Sequence, residues 1–126
     1  MQEITIITEN KVGALADICE LLGRSGVNIE AICAQGLDDS GIIRVVTGDT
    51  TTATRVLGTK NGITFKTSDV MVVKLNDQPG ELGKIARKLA RAEVDIESLY
   101  ILSRNRGISE VAIKPDNLAA ALRAIK

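Results

Sequence analysis

Histidine is absent from this 126-residue chain. That removes the usual general base near neutral pH and the commonest metal ligand. The aromatic residues are Phe65 and Tyr100, with no Trp, too few for the platforms on which unpaired bases stack. Two cysteines, Cys19 and Cys33, cannot build a disulfide framework. No basic, apolar leader precedes the first apolar alternation, so a cytoplasmic, reducing setting is expected and secretion is not. No apolar run has the length of a membrane span. Neither sign of charge is in excess, with 16 Lys and Arg against 16 Asp and Glu, which argues against nonspecific nucleic-acid binding. Glycine-rich phosphate fingerprints are missing as well. With no cluster of nucleophile, base and metal ligands, no catalytic residue, metal site or cofactor is assigned, and the chain is not expected to be an enzyme.

What is present is an ordinary globular composition, 44% hydrophobic and 25% charged, arranged as a repeat. Shifted by 67 residues, Gly13, Leu15, Ile18, Leu22, Arg24, Val27, Ile29 and Glu30 fall on Gly80, Leu82, Ile85, Leu89, Arg91, Val94, Ile96 and Glu97. These eight identities lie within 18 residues, where chance supplies about one, and so mark a duplicated unit. One residue is then lost, and Gly41, Ile42 and Val45 match Gly107, Ile108 and Val111. Two domains are expected, residues 1–67 and 68–126.

Each copy has the same element order. Ile4, Ile6 and Thr8, and Met71, Val73 and Leu75, alternate as half-buried strands do. Leu15, Ile18, Cys19 and Leu22, and Leu82, Ile85, Ala86 and Leu89, recur at helical spacing. Gly26 suits the end of the first of these helices. Strands are predicted over 28–35 and 95–102, each joined by a turn to a second strand, over 42–47 and 108–113. Helices follow at 51–57 and 117–125, with Pro115 in the loop or first turn before the latter. The first copy closes with a strand near 63–66. The order βαββαβ predicts an α+β architecture, two ferredoxin-like units side by side, each with its helices on one face of an antiparallel sheet. The second unit is expected to lack its last strand. Either that edge strand is missing from the fold or the sequence stops before it, and the residues leave both open.

The segment joining the first strand to the first helix carries the chemistry. It reads Glu9-Asn10-Lys11-Val12-Gly13-Ala14-Leu15 in one copy and Asn76-Asp77-Gln78-Pro79-Gly80-Glu81-Leu82 in the other. A helix start leaves backbone N–H groups unpaired and carries partial positive charge, so it suits a carboxylate. Glycine there lets a ligand approach the backbone closely. Asn10 and Asp77 add a directed acceptor for an ammonium group, and the two features together make a receptor for a zwitterion. A cap or a turn explains the loop equally well when it is taken alone.

The string N/D-x-x-G-x-L, a helix, and then V-N-I or V-D-I resembles the ACT domain family. Asn10, Gly13, Leu15, Val27, Asn28 and Ile29 carry the likeness in the first copy; Asp77, Pro79, Gly80, Leu82, Val94, Asp95 and Ile96 carry it in the second. It spans residues 3–126. The resemblance implies an allosteric amino-acid sensor attached to, or acting beside, an enzyme of amino-acid metabolism, with the effector lying between two domains. On that basis one site combines Asn10, Val12 and Gly13 with Asp95, and the other Asp77, Pro79 and Gly80 with Asn28. Val12 stands where proline is common in the family, so the first loop keeps an N–H and is less rigid.

Other candidates read as structure. Cys19 and Cys33 are expected as small core hydrophobes. Arg104 and Arg106 flank a turn, where solvated charge is the default. Glu30, Glu97, Arg44 and Glu110 are assigned to the sheet face away from the helices, as ion pairs of little individual worth. The same element order belongs to RNA-binding RRM modules, but neither third strand (Gly41-Ile42-Ile43-Arg44-Val45-Val46 or Gly107-Ile108-Ser109-Glu110-Val111-Ala112) has the aromatics they need. The expected function is a sensor that binds a free amino acid and modulates a separate partner, as a homodimer, without nucleic acid or membrane. The alternative is an assembly module acting by sheet-edge pairing without ligand.

Overall fold

The computed structural model describes all 126 residues and divides into two compact units, Met1–Ser68 and Asp69–Lys126. The first unit runs β1 (Gln2–Glu9), α1 (Ala14–Arg24), β2 (Ala31–Leu37), β3 (Ser40–Thr47), α2 (Thr50–Leu57) and β4 (Thr64–Asp69). The second runs β5 (Met71–Asn76), α3 (Glu81–Arg91), β6 (Ile96–Asn105), β7 (Ile108–Pro115) and α4 (Leu118–Ala124). Sheet order is β2-β3-β1-β4 in the first unit and β5-β7-β6 in the second. Both are ferredoxin-like α+β sandwiches, and the second has three strands.

Alternation sets the cores. Ile4 and Ile6 of β1, with Ile43 and Val45 of β3, point to the helix side, where Ile18 and Leu22 of α1 and Ala53, Val56 and Leu57 of α2 close over them. Burying each of the larger aliphatic side chains contributes roughly 1.5–3 kcal/mol. In the second unit Met71, Leu75, Val111 and Ile113 meet Leu89 of α3 and Ala121 of α4. Of the α3 residues only Leu89 is buried, whereas Ala14, Ile18 and Leu22 are buried on α1. The second core is the thinner one.

Both helices at the duplicated loops end in the same turn, at different cost. Gly26 takes φ +77° after α1, while its counterpart Glu93 takes φ +59° after α3. A side chain in that left-handed region is strained by about 1 kcal/mol.

Four local expectations are corrected. β2 starts at Ala31 and not at 28, because Asn28 is drawn off the ladder: its carbonyl accepts from the Thr47 hydroxyl at 2.9 Å. Pro115 is the buried last residue of β7, opposite Ile96, not part of the loop or first turn before α4. A strand end tolerates proline because no further ladder N–H is required there. β6 extends to Asn105, three residues past the expected end, through two register irregularities against β7. Cys33 is exposed, because it stands opposite Arg44 while Ile32 stands opposite the core residue Val45, which turns it to the face of edge strand β2 away from the helices, whereas Cys19 is half-buried on α1.

Candidate functional site

The β1–α1 and β5–α3 loops adopt one conformation twice. Gly13 (φ +90°) and Gly80 (φ +88°) stand at the helix starts in the left-handed region, where glycine alone is unstrained. Neither helix start is capped by a side chain. The other two helices are: the Asp49 carboxylate accepts from the Thr52 N–H at 3.1 Å, and the Asn117 amide oxygen from the Ala120 N–H at 3.0 Å. Thus the chain satisfies the helix starts away from these loops and leaves the two duplicated mouths open. No acceptor in the chain takes the N–H of Val12, Gly13 or Gly80. Pro79 has none to give, so the first mouth offers one more donor than the second.

Each loop is tied to the turn that follows the next strand, by different chemistry. Asn10 donates its backbone N–H to the Asp39 carbonyl at 2.9 Å and its side-chain Nδ2 to the Asp38 carbonyl at 2.9 Å. Its Oδ1 remains free to accept. Asp77 donates its N–H to the Gly107 carbonyl at 2.8 Å, and its Oδ1 lies 3.7 Å from Nε of Arg104. Arg104 is therefore engaged at the mouth, not merely solvated as a turn residue would be.

Below the first loop is a cavity of about 160 Å³, bordered by Asn10, Leu15, Gln35, Gly36, Gly41 and Ile43 among others. Its counterpart below the second loop measures about 100 Å³ and is bordered by Asp77, Leu82, Ile101, Arg104, Ser109 and Val111 among others. At ~30 Å³ per water, such spaces hold roughly three to five waters, the scale of a small metabolite. Asn10 and Asp77 line these cavities. Val12 is fully exposed and, like Gly13, is not part of the lining. Pro79 and Gly80 stand outside the second cavity in the same way.

Asn28 and Asp95 border neither cavity. Asn28 is exposed and donates Nδ2 to Glu30 Oε1 at 3.1 Å. Asp95 donates its backbone N–H to the Asp116 side chain at Oδ1 and accepts at its carbonyl from the Asp116 N–H, both at 3.0 Å. Register explains the separation. β1 and β3 pair from Glu9 opposite Ser40, beside Asn10, to Gln2 opposite Thr47, beside Asn28. Seven residue steps put the two ends about 23 Å apart. β5, β6 and β7 likewise hold Asp77 at one end of their sheet and Asp95 at the other. Within a unit, the loop and the strand head do not meet.

Two contributors lie outside the residues assigned to the sites from the sequence, and one of them, Arg104, was set aside there as a solvated turn charge. A Cβ on Gly36 would stand 2.7 Å from Asn10 Nδ2 and 3.1 Å from its Cγ. Only glycine there lets Asn10 lie across β2, and a glycine inside a strand is the sequence signal for such an approach. Arg104 is the second, and its only advance signal was its place in the turn. Among charges on the sheet, Glu97 pairs with Lys114 at 3.9 Å. No three His, Cys, Asp or Glu side chains converge as metal ligands would, and no helix is long and apolar enough to cross a membrane.

The chain is thus a duplicated ferredoxin-like unit whose uncapped helix mouths are tied to neighbouring turns. Residues 1–125 match the model of the ACT domain pair, and the chain belongs to that family, which is regulatory. Among solved structures it is similar to protein BT0572 from Bacteroides thetaiotaomicron, with 28% identity and a TM-score of 0.87 over 98% of this chain and 85% of that one. The ligand-free regulatory subunit of aspartate kinase from Thermus thermophilus shares the fold, with 18% identity and a TM-score of 0.72 over 98% and 89% of the two chains. So does aspartate kinase from Clostridium acetobutylicum, with 16% identity and a TM-score of 0.60 over 98% of this chain and 32% of that one. No curated protein matches the chain.

Proposed function

We propose that this ACT domain pair is a sensor that binds a free amino acid and modulates a separate partner in amino-acid metabolism. One site joins Asn10, Val12 and Gly13 to Asp95, and the other joins Asp77, Pro79 and Gly80 to Asn28. The observation that carries this reading is the contrast in capping. Asp49 and Asn117 close the starts of α2 and α4, whereas α1 and α3 begin on left-handed glycines with no side-chain cap. An open helix start favours a carboxylate. The free Oδ1 of Asn10, or a carboxylate oxygen of Asp77, accepts from the ammonium end. Since the strand head lies at the far end of its own sheet, a second unit must supply it, and ligand binding is thereby linked to assembly. A homodimer is part of the proposal. So is a cytoplasmic setting, which the two free cysteines favour. The regulatory subunit of aspartate kinase from Thermus thermophilus has this fold, which supports a partner in amino-acid metabolism.

A thermal-shift screen of the twenty amino acids tests the proposal. One or two are expected to raise the melting temperature, by the equivalent of about 2.7 kcal/mol at a hundredfold excess over Kd. Asp77→Asn with Asp95→Asn is expected to weaken that ligand. A flat panel, together with a mass that depends on concentration, would favour the assembly module, to which the exposed β2 edge lends itself.

A further inference from the structure

The second sheet carries a group of polar side chains that its fold does not use. Met71, Val73 and Leu75 of β5 and Val111 and Ile113 of β7 pack into the core, so the residues alternating with them look away from the helices. Two rows cross that face from β5 through β7 to β6, Lys74–Glu110–Ser103 and Asn76–Ile108–Asn105. Arg106 follows in the turn. All seven border one cavity of about 570 Å³, against about 160 and 100 Å³ at the two loops. Glu110 is half-buried, and the other polar side chains of the group are exposed.

None of these polar side chains takes part in a hydrogen bond or ion pair within the chain. Lys74 and Glu110 stand directly opposite each other, where unlike charges ordinarily attract, yet they do not pair. Glu81 of α3 also reaches the border, but Lys84 holds it at 2.9 Å. Two cations and one carboxylate are left open, a surplus of one positive charge. The first unit shows that a sheet of this kind does not require them. Counted from its own hairpin turn, the matching rows are Ile7–Ile42–Gln35 and Glu9–Ser40–Leu37. Isoleucines stand there in the places of Lys74 and Glu110.

We propose that this cavity is a second ligand site and takes a hydroxylated anion, a sugar phosphate or a sugar acid. Lys74 and Arg106 bind the phosphoryl or carboxyl group. Glu110 accepts from hydroxyls, and Asn76, Asn105 and Ser103 both donate to and accept from the rest of the molecule. Ile108, 38% exposed, gives the carbon skeleton an apolar floor. The volume falls in the range of about 300–1,000 Å³ usual for metabolite pockets. No aromatic side chain borders the cavity, so a nucleobase has nothing to stack on, and a sugar is favoured over a nucleotide. The site does not depend on the sensor reading, because none of its polar residues belongs to either amino-acid site proposed above.

Titration of the isotope-labelled full chain, followed by amide resonances, tests the site with four probes: glucose 6-phosphate, gluconate, glucose and inorganic phosphate. Glucose 6-phosphate and gluconate are expected to shift the signals of Ser103, Asn105, Arg106 and Glu110 and to leave those of Gly13 unmoved. Glucose, without the anion, and inorganic phosphate, without the hydroxyls, are expected to bind at least tenfold more weakly. Lys74→Ile and Glu110→Ile place the first unit's residues in the second, so the fold tolerates them. Each removes a charge-assisted contact and is expected to weaken both sugar ligands about tenfold or more. Lys74→Gln, which keeps a polar side chain without the charge, is expected to do the same. Glu110→Ile should leave inorganic phosphate no weaker than before. Four silent probes overturn the proposal, as do variants that bind like wild type. Inorganic phosphate bound as tightly as glucose 6-phosphate also overturns it, reducing the site to a patch of charge. A flat amino-acid screen removes the sensor and leaves this site standing.

Discussion

Replacing Gly36 by Ala sets two opposite effects against each other, and Asn10 decides which wins. In a strand, alanine is favoured over glycine by roughly 0.5–1 kcal/mol, because glycine loses more freedom on folding. Here the added Cβ would stand 2.7 Å from Asn10 Nδ2. The amide must then leave the Asp38 carbonyl, to which it now donates at 2.9 Å. An exposed hydrogen bond of this kind contributes about 0.5–1.5 kcal/mol, and displacing the side chain adds rotamer strain of similar size. Gly36→Ala in the native background is therefore expected to destabilise the first unit by about 1 kcal/mol. With Asn10→Ala already present, neither the bond nor the clash remains, and the same substitution should be neutral or stabilising. The coupling energy of the cycle is expected at about 1–2 kcal/mol, well above the scatter between independent sites. Urea denaturation of the four proteins measures it, and hydrogen exchange at Asn10 and Lys11, whose N–H groups are bonded in the native loop, reports whether the loop has come loose. If Gly36→Ala costs the same with and without Asn10, Asn10 does not lie on Gly36 in solution and the account of this loop is wrong.

Two further predictions rest on single residues. Glu93→Gly relieves the φ +59° backbone after α3 and is expected to stabilise the second unit by about 0.5–1 kcal/mol, read as a higher melting temperature; a lower one would refute the strain. For thiol chemistry, burial pushes the Cys19 thiol above its ordinary pKa while Cys33 is exposed. Desolvation disfavours the reactive thiolate, so iodoacetamide at mildly alkaline pH should label Cys33 first by mass spectrometry, the Cys19 rate rising only at higher pH. Equal rates for the two would contradict their placement.

The sequence carried the unit and its order because the repeat states them twice, at fixed offset, in apolar spacing that the cores then use. Ile4, Ile18 and Leu22 were legible as core from period alone. Strand limits were not, since they depend on partners distant in the chain. Asn28 leaves the ladder for the Thr47 hydroxyl, and Pro115 stays in it because β7 has reached its end opposite Ile96. Cys33 was misplaced for a related reason: its alternation with Ile29 and Ala31 suggested the core face, but β2 starts only at Ala31 and its register sets Ile32, not Cys33, beside Val45. At the loops, the residue types pointed to open helix starts, and the missing caps agree with that. The ties that hold the loops could not be read in advance. Asn10 reaches a carbonyl 28 residues away and Asp77 a guanidinium 27 residues away, and no local pattern encodes either.

Those two ties answer differently to the surrounding medium. A neutral amide on a carbonyl is indifferent to dissolved ions, so the Asn10 loop keeps its stiffness in brine or in dilute buffer. Asp77 and Arg104 attract each other through solvent-exposed charge, which counterions weaken. Duplication thus left one molecule with a gatepost that ignores electrolyte and another that slackens as electrolyte accumulates.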